Sequence, residues 1–76
     1  MADGWRAEKT LDKMRRGGLP APTQHTRTIG IGDGHPCDGC TETIEPTDAE
    51  HAVRVRGILD VRFHETCYEA WATFKR

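Results

Sequence analysis

Seventy-six residues make one domain, and a chain of that length buries only about 60% of the surface its unfolded form exposes. Apolar residues are 36% and aromatics 7% of the chain. That is too little to offset alone an ordering cost of about 1.5 kcal/mol per residue, so a metal, a disulfide or a partner chain is expected to complete the fold. A large enzyme core, a dinucleotide-binding fold and a multi-domain arrangement are excluded, and a net charge of −1 argues against a strongly electrostatic nucleic-acid binder.

In chain order, residues 1–16 form the first unit, with a helix predicted over 3–16. Asp3 serves as its N-cap, Lys13, Arg15 and Arg16 complement the negative end of its dipole, and Gly17-Gly18 stops it. Ala7, Leu11 and Met14 fall on one narrow stripe, with Trp5 on the opposite side. So thin a stripe is marginal for a free helix. The segment packs on the rest, binds a partner or frays. Residues 17–36 hold five glycines and three prolines among twenty positions and show no apolar period, which predicts a flexible linker. The glycines from Gly30 to Gly34 lack the dinucleotide spacing and a following Lys-Ser/Thr, so they belong to the linker and make no phosphate loop.

Residues 37–76 carry the pattern. Val53 and Val55 alternate with Arg54 and Arg56, and Val61 and Phe63 alternate with Arg62 and His64, with Gly57 between the runs. This predicts a β-hairpin. From His64 or Glu65 the period becomes helical, and His64, Cys67, Trp71 and Phe74 share one face of a helix that Lys75 and Arg76 end favourably.

Two short pairs punctuate this half. Cys37-Asp38-Gly39-Cys40 is C-x2-C and His64-Glu65-Thr66-Cys67 is H-x2-C, with 23 residues between them. A structural zinc site takes four N or S ligands in a tetrahedron, which Cys37, Cys40, His64 and Cys67 supply for one Zn2+ per chain. Gly39 allows the positive φ that a tight turn between two thiolates can need, and His64 and Cys67 project from one face at a helix start. Of the other histidines, His35 competes for the fourth position but is limited by Pro36, His51 is expected to be solvated, and His25 to be exposed in the linker. A C-x2-C pair also suits a redox dithiol, but the βαβ context is missing. A catalytic zinc needs an open position and a nearby base. Glu65 adjoins His64, yet three thiolates make zinc a poor Lewis acid.

The order C-x2-C-x23-H-x2-C resembles the first zinc-binding half of a LIM domain, and more loosely a treble-clef finger. The pieces "GDGHPCDGC", "TIEP", "VRV" and "RFHETCYEAW" are also similar to short bacterial proteins with no settled activity. The likeness covers a little over half of the chain. A LIM domain continues into a second zinc module two residues after its fourth ligand; here Cys67 is followed by Tyr68-Glu69-Ala70-Trp71 and five further residues with no Cys or His, so a full LIM domain is not expected. The resemblance implies Cys37, Cys40, His64 and Cys67 as ligands and an adapter role.

The expected architecture is therefore a small α+β zinc-stapled domain: N-terminal helix, Gly/Pro linker, zinc turn, β-hairpin and C-terminal helix. The expected function is a non-enzymatic, cytoplasmic module that binds another protein. One alternative is a nucleic-acid-binding regulator using Arg54, Arg56 and Arg62 with a Lys13/Arg15/Arg16 arm. Another is a redox or metal-handling dithiol protein. Asp48, Glu50 and Asp60 are assigned to a solvated face, and Trp5 either anchors a partner or packs on the finger. No apolar run approaches the roughly 20 residues of a membrane span.

Overall fold

The computed structural model describes residues 4–74; Asp3, Lys75 and Arg76, assigned to helix ends above, lie outside the described residues. The chain runs α1 (Gly4–Arg15), β1 (His25–Ile31), β2 (Ala49–Val55), β3 (Leu59–Phe63) and α2 (Glu65–Ala72). The three strands form one antiparallel sheet in the order β1-β2-β3, so the architecture is small α+β.

Helix α1 stops where two glycines make stopping easy. Gly17 takes a left-handed φ of 74°. The Gly18 N–H donates to the Lys13 carbonyl at 2.9 Å and the Gly17 N–H to the Met14 carbonyl at 3.1 Å. This crossed pair is the Schellman closure, which satisfies carbonyls the helix end leaves over. The helix does not fray; it packs against α2. Its buried residues are Thr10 and Met14, while Ala7 and Leu11 are only half-buried. The contact stripe is thus turned toward Thr10, whose hydroxyl is satisfied within the helix by the Arg6 carbonyl at 2.9 Å.

Residues 17–36 differ from the flexible linker expected of them. Seven of these residues form β1, paired with β2 from His25↔Val55 to Ile31↔Ala49. The apolar period was missing because β1 is an edge strand, exposed along nearly its whole length, and such a strand needs no alternation. The hairpin of β2 and β3 follows the alternation. Val53, Val55, Val61 and Phe63 are buried while Arg54 and Arg62 are exposed. At its turn the Ile58 N–H donates to the Val55 carbonyl at 3.1 Å. Arg56 and Gly57 both have positive φ, 56° and 74°, the conformation that matches the twist of a two-stranded ribbon.

Trp71 is the centre of the core. It is fully buried, its ring lies 5.4 Å from that of Phe63 and 4.9 Å from that of His25, and its indole N–H donates to the Pro20 carbonyl at 2.8 Å. That bond fastens the segment after α1 to α2. Two histidines depart from expectation. His51 is 4% exposed rather than solvated, stacked 5.5 Å from Tyr68, because it occupies the same face of β2 as Val53 and Val55. His25 is half-buried against Tyr68 and Trp71 rather than exposed.

Truncating Trp71 removes both the packing and the Pro20 bond. Trp71→Ala should cost about 3–5 kcal/mol, enough to unfold a chain this short under native conditions. Thermal unfolding followed by circular dichroism in the presence of zinc checks this.

Candidate metal centre

The first pair of cysteines sits at the tip of a small ribbon. The Gly34 N–H donates to the Ile44 carbonyl, the Ile44 N–H to the His35 carbonyl and the Cys37 N–H to the Glu42 carbonyl, at 3.1, 2.8 and 2.8 Å. The Thr41 N–H closes the turn onto the Cys37 carbonyl at 3.0 Å. The left-handed residue of this turn is Thr41, at φ 69°, and not Gly39. Gly39 is needed for a different reason. A Cβ there would lie 2.4 Å from Thr10 Oγ1, 3.0 Å from Cys67 Cβ and 3.3 Å from Phe63 Cδ1. The turn, α1, α2 and β3 meet at a spot with no room for a side chain.

The second pair opens α2. His64 is the N-cap residue, in extended conformation at φ −66° and ψ 161°, and Cys67 follows one turn later. Asp38 brings the two pairs together. Its N–H donates to the Arg62 carbonyl at 2.7 Å, and its Oδ2 accepts from the Arg62 N–H at 2.7 Å. The cysteine turn is thereby hydrogen-bonded to β3 two residues before His64. Lys13 of α1 adds a bond from Nζ to the Asp38 carbonyl at 2.8 Å.

The result is a cluster of Cys37, Cys40, His64 and Cys67, all buried, whose ligand atoms lie within 4.8 Å of one another. His64 Nδ1 is 3.4 Å from Cys40 Sγ and 3.9 Å from Cys67 Sγ. Bonds of about 2.3 Å to sulfur and about 2.0 Å to nitrogen at the tetrahedral angle place S and N about 3.5 Å apart, so the spacing fits a single zinc-sized ion. The other imidazole nitrogen, Nε2, lies 3.2 Å from the Thr43 carbonyl oxygen and 3.8 Å from Asp48 Oδ2. Both are acceptors, so Nε2 carries the proton and the Nδ1 lone pair is left facing the sulfurs. Neither the inward-facing nitrogen nor the Thr43 and Asp48 contacts that orient the ring are legible from the ligand spacing alone.

Charge in this space is constrained. A hydrogen bond from the Cys67 thiol, helped by backbone N–H groups of Cys40, His64 and Gly39, holds Cys37 down to about 4. The same bond, with burial, pushes Cys67 up, and burial pushes Cys40 up. Burial and mutual repulsion oppose ionising all three sulfurs at once, and a divalent cation bound among them would offset that cost. The arrangement can therefore hold one metal ion by four side chains.

The remaining candidates lie elsewhere. His35 is exposed and bonded to the Asp33 carboxylate; with Glu50 these two make a separate surface group of potential ligands. Glu65 is exposed. Arg54 is paired with Asp60 at 2.9 Å and Arg62 with Glu50 at 3.4 Å. Glu50 is thus largely covered, with 14% of its side chain exposed, and does not belong to a freely solvated acidic face. Trp5 stays 44% exposed.

Two outcomes are expected. Gly39→Ala should destabilise the metal-loaded chain by about 1–3 kcal/mol through overpacking, and Thr10→Ala in the same chain should recover part of the loss; denaturant titration of the four-member mutant cycle measures this. Metal uptake at neutral pH should release protons, because Cys40 and Cys67 hold theirs and must give them up. Affinity should therefore rise with pH, as calorimetry in buffers of different ionisation enthalpy would show. Comparisons of the chain with protein families, with curated proteins and with solved structures give no match, so the reading of this centre rests on its geometry.

Proposed function

We propose that the chain is a non-enzymatic module held in shape by one structural zinc ion on Cys37, Cys40, His64 and Cys67, and that it works by binding another protein. The observation that carries this reading is the burial of all four ligands, none more than 3% exposed. Four such groups complete a tetrahedron and leave no position for water or substrate, the distinction between a structural and a catalytic zinc. The order of turn, hairpin and helix around the ligands supports the treble-clef, half-LIM likeness, and with it a binding role. Three free cysteines suit a reducing, cytoplasmic setting. Among the described residues no helix is long and apolar enough to cross a membrane.

The nucleic-acid alternative is weakened by the pairing of Arg54 and Arg62 with carboxylates, which leaves less free positive charge for phosphates. A dithiol redox role is weakened by the confinement of Cys37 and Cys40, both buried with His64 and Cys67.

Native mass spectrometry of the purified chain should find one zinc per protomer. Cys40→Ser or Cys67→Ser, or an excess of chelator, should abolish the cooperative unfolding transition, and added zinc should restore it to the chelated wild type only. A cooperative transition that survives chelation would overturn the structural role. A gel shift with a steep salt dependence, lost in an Arg54/Arg56/Arg62 triple alanine variant, would replace the protein partner with a nucleic acid.

A further inference from the structure

The two edges of the sheet are treated differently. On β3 the backbone N–H and C=O of Arg62 are both taken by Asp38. On β1 no described residue pairs with the outer edge. The bonds that bracket β1 give its polarity. The Arg56 N–H donates to the Gln24 carbonyl and the Gly32 N–H to the Asp48 carbonyl, both at 3.0 Å. In an antiparallel ladder the hydrogen-bonded residues alternate, so Thr26, Thr28 and Gly30 turn their backbone groups to β2. His25, Arg27, Ile29 and Ile31 turn theirs to the open edge.

This edge is lightly protected. β1 is seven residues long, contains no proline and carries one formal charge. That charge, Arg27, lies 4.6 Å over the Tyr68 ring. Ile29 and Ile31 are 56% and 78% exposed on the same face of the strand. An open, unbroken edge with two exposed isoleucines is a template for another strand.

We infer that β1 pairs with β1 of a second copy of this chain, antiparallel about Gly30, to make a continuous six-stranded sheet across a two-fold axis. The sequence of the edge selects the occupant. In this register every outward-turned residue meets an outward-turned residue, as a hydrogen-bonded ladder requires. Each Ile29 lies opposite the second copy's Ile31, so four exposed isoleucines cover one another. Each Arg27 lies opposite the second copy's Asp33, so the single charge of the strand meets an opposite one. The interface is isologous, and it closes on itself. This names a partner for the binding module proposed above and rests on that reading, since the sheet must be held folded by its metal.

The test is sedimentation equilibrium of the zinc-loaded full chain up to hundreds of micromolar, with zinc content and circular dichroism measured on the same samples. A dimer is expected. Ile29→Lys with Ile31→Lys should give a folded, zinc-loaded monomer. Arg27→Asp and Asp33→Arg should each weaken the dimer at least several-fold, and the two together should restore it. A folded, zinc-loaded wild type that stays monomeric would overturn the pairing while leaving the metal reading intact. So would a dimer indifferent to the isoleucine variants, or a charge swap without recovery. A chain without zinc and without a fold would instead count against the metal-held module, and the pairing would fall with it.

Discussion

Three sulfurs and an imidazole confined to one space closed to water are the constraint on which the rest of this structure depends. Side by side and uncompensated, thiolates repel, and burial penalises each further charge. The chain nevertheless drives them together from two directions. The ribbon ending at Cys37 and Cys40 is tied to β3 through Asp38, and the start of α2 carries His64 and Cys67 in from the other side. An arrangement that is costly for four protonatable groups becomes favourable when a divalent cation completes it, and the folding of such a chain is coupled to that event.

The apolar core is organised around the same point. Phe63 ends β3 immediately before His64, Trp71 continues the face of α2 that carries Cys67, and Gly39 allows the cysteine turn to touch both helices at once. Helix α1 is drawn into the arrangement by Thr10, Met14 and the Lys13 bond to Asp38. The Trp71 bond to Pro20 secures the chain on its way out of α1. The three cysteines of the candidate site belong to the same buried cluster as Phe63 and Trp71, as expected where an aliphatic core alone is too small.

Much of this was legible in the residues. The spacing of Cys37, Cys40, His64 and Cys67 picks out the four side chains that meet, and the alternation of Val53, Val55, Val61 and Phe63 defines the hairpin. Strand β1 was hidden because an edge strand buries little and so carries no period. His51 looks solvated by residue type, although its place two before Val53 on the same strand face points inward. The polarity of Thr10 hides its burial, since its hydroxyl is satisfied inside the helix. The value of Gly39 lay in what stands beside it, which only the assembled chain shows.

The Asp38 contact on β3 has a consequence for assembly. A sheet with two adhesive margins can add copies without limit and grow into fibres. Here one margin is occupied at Arg62 by the chain's own cysteine turn. The turn that carries Cys37 and Cys40 is therefore also the element that blocks this margin, and loosening it would expose a second adhesive edge and favour runaway polymerisation.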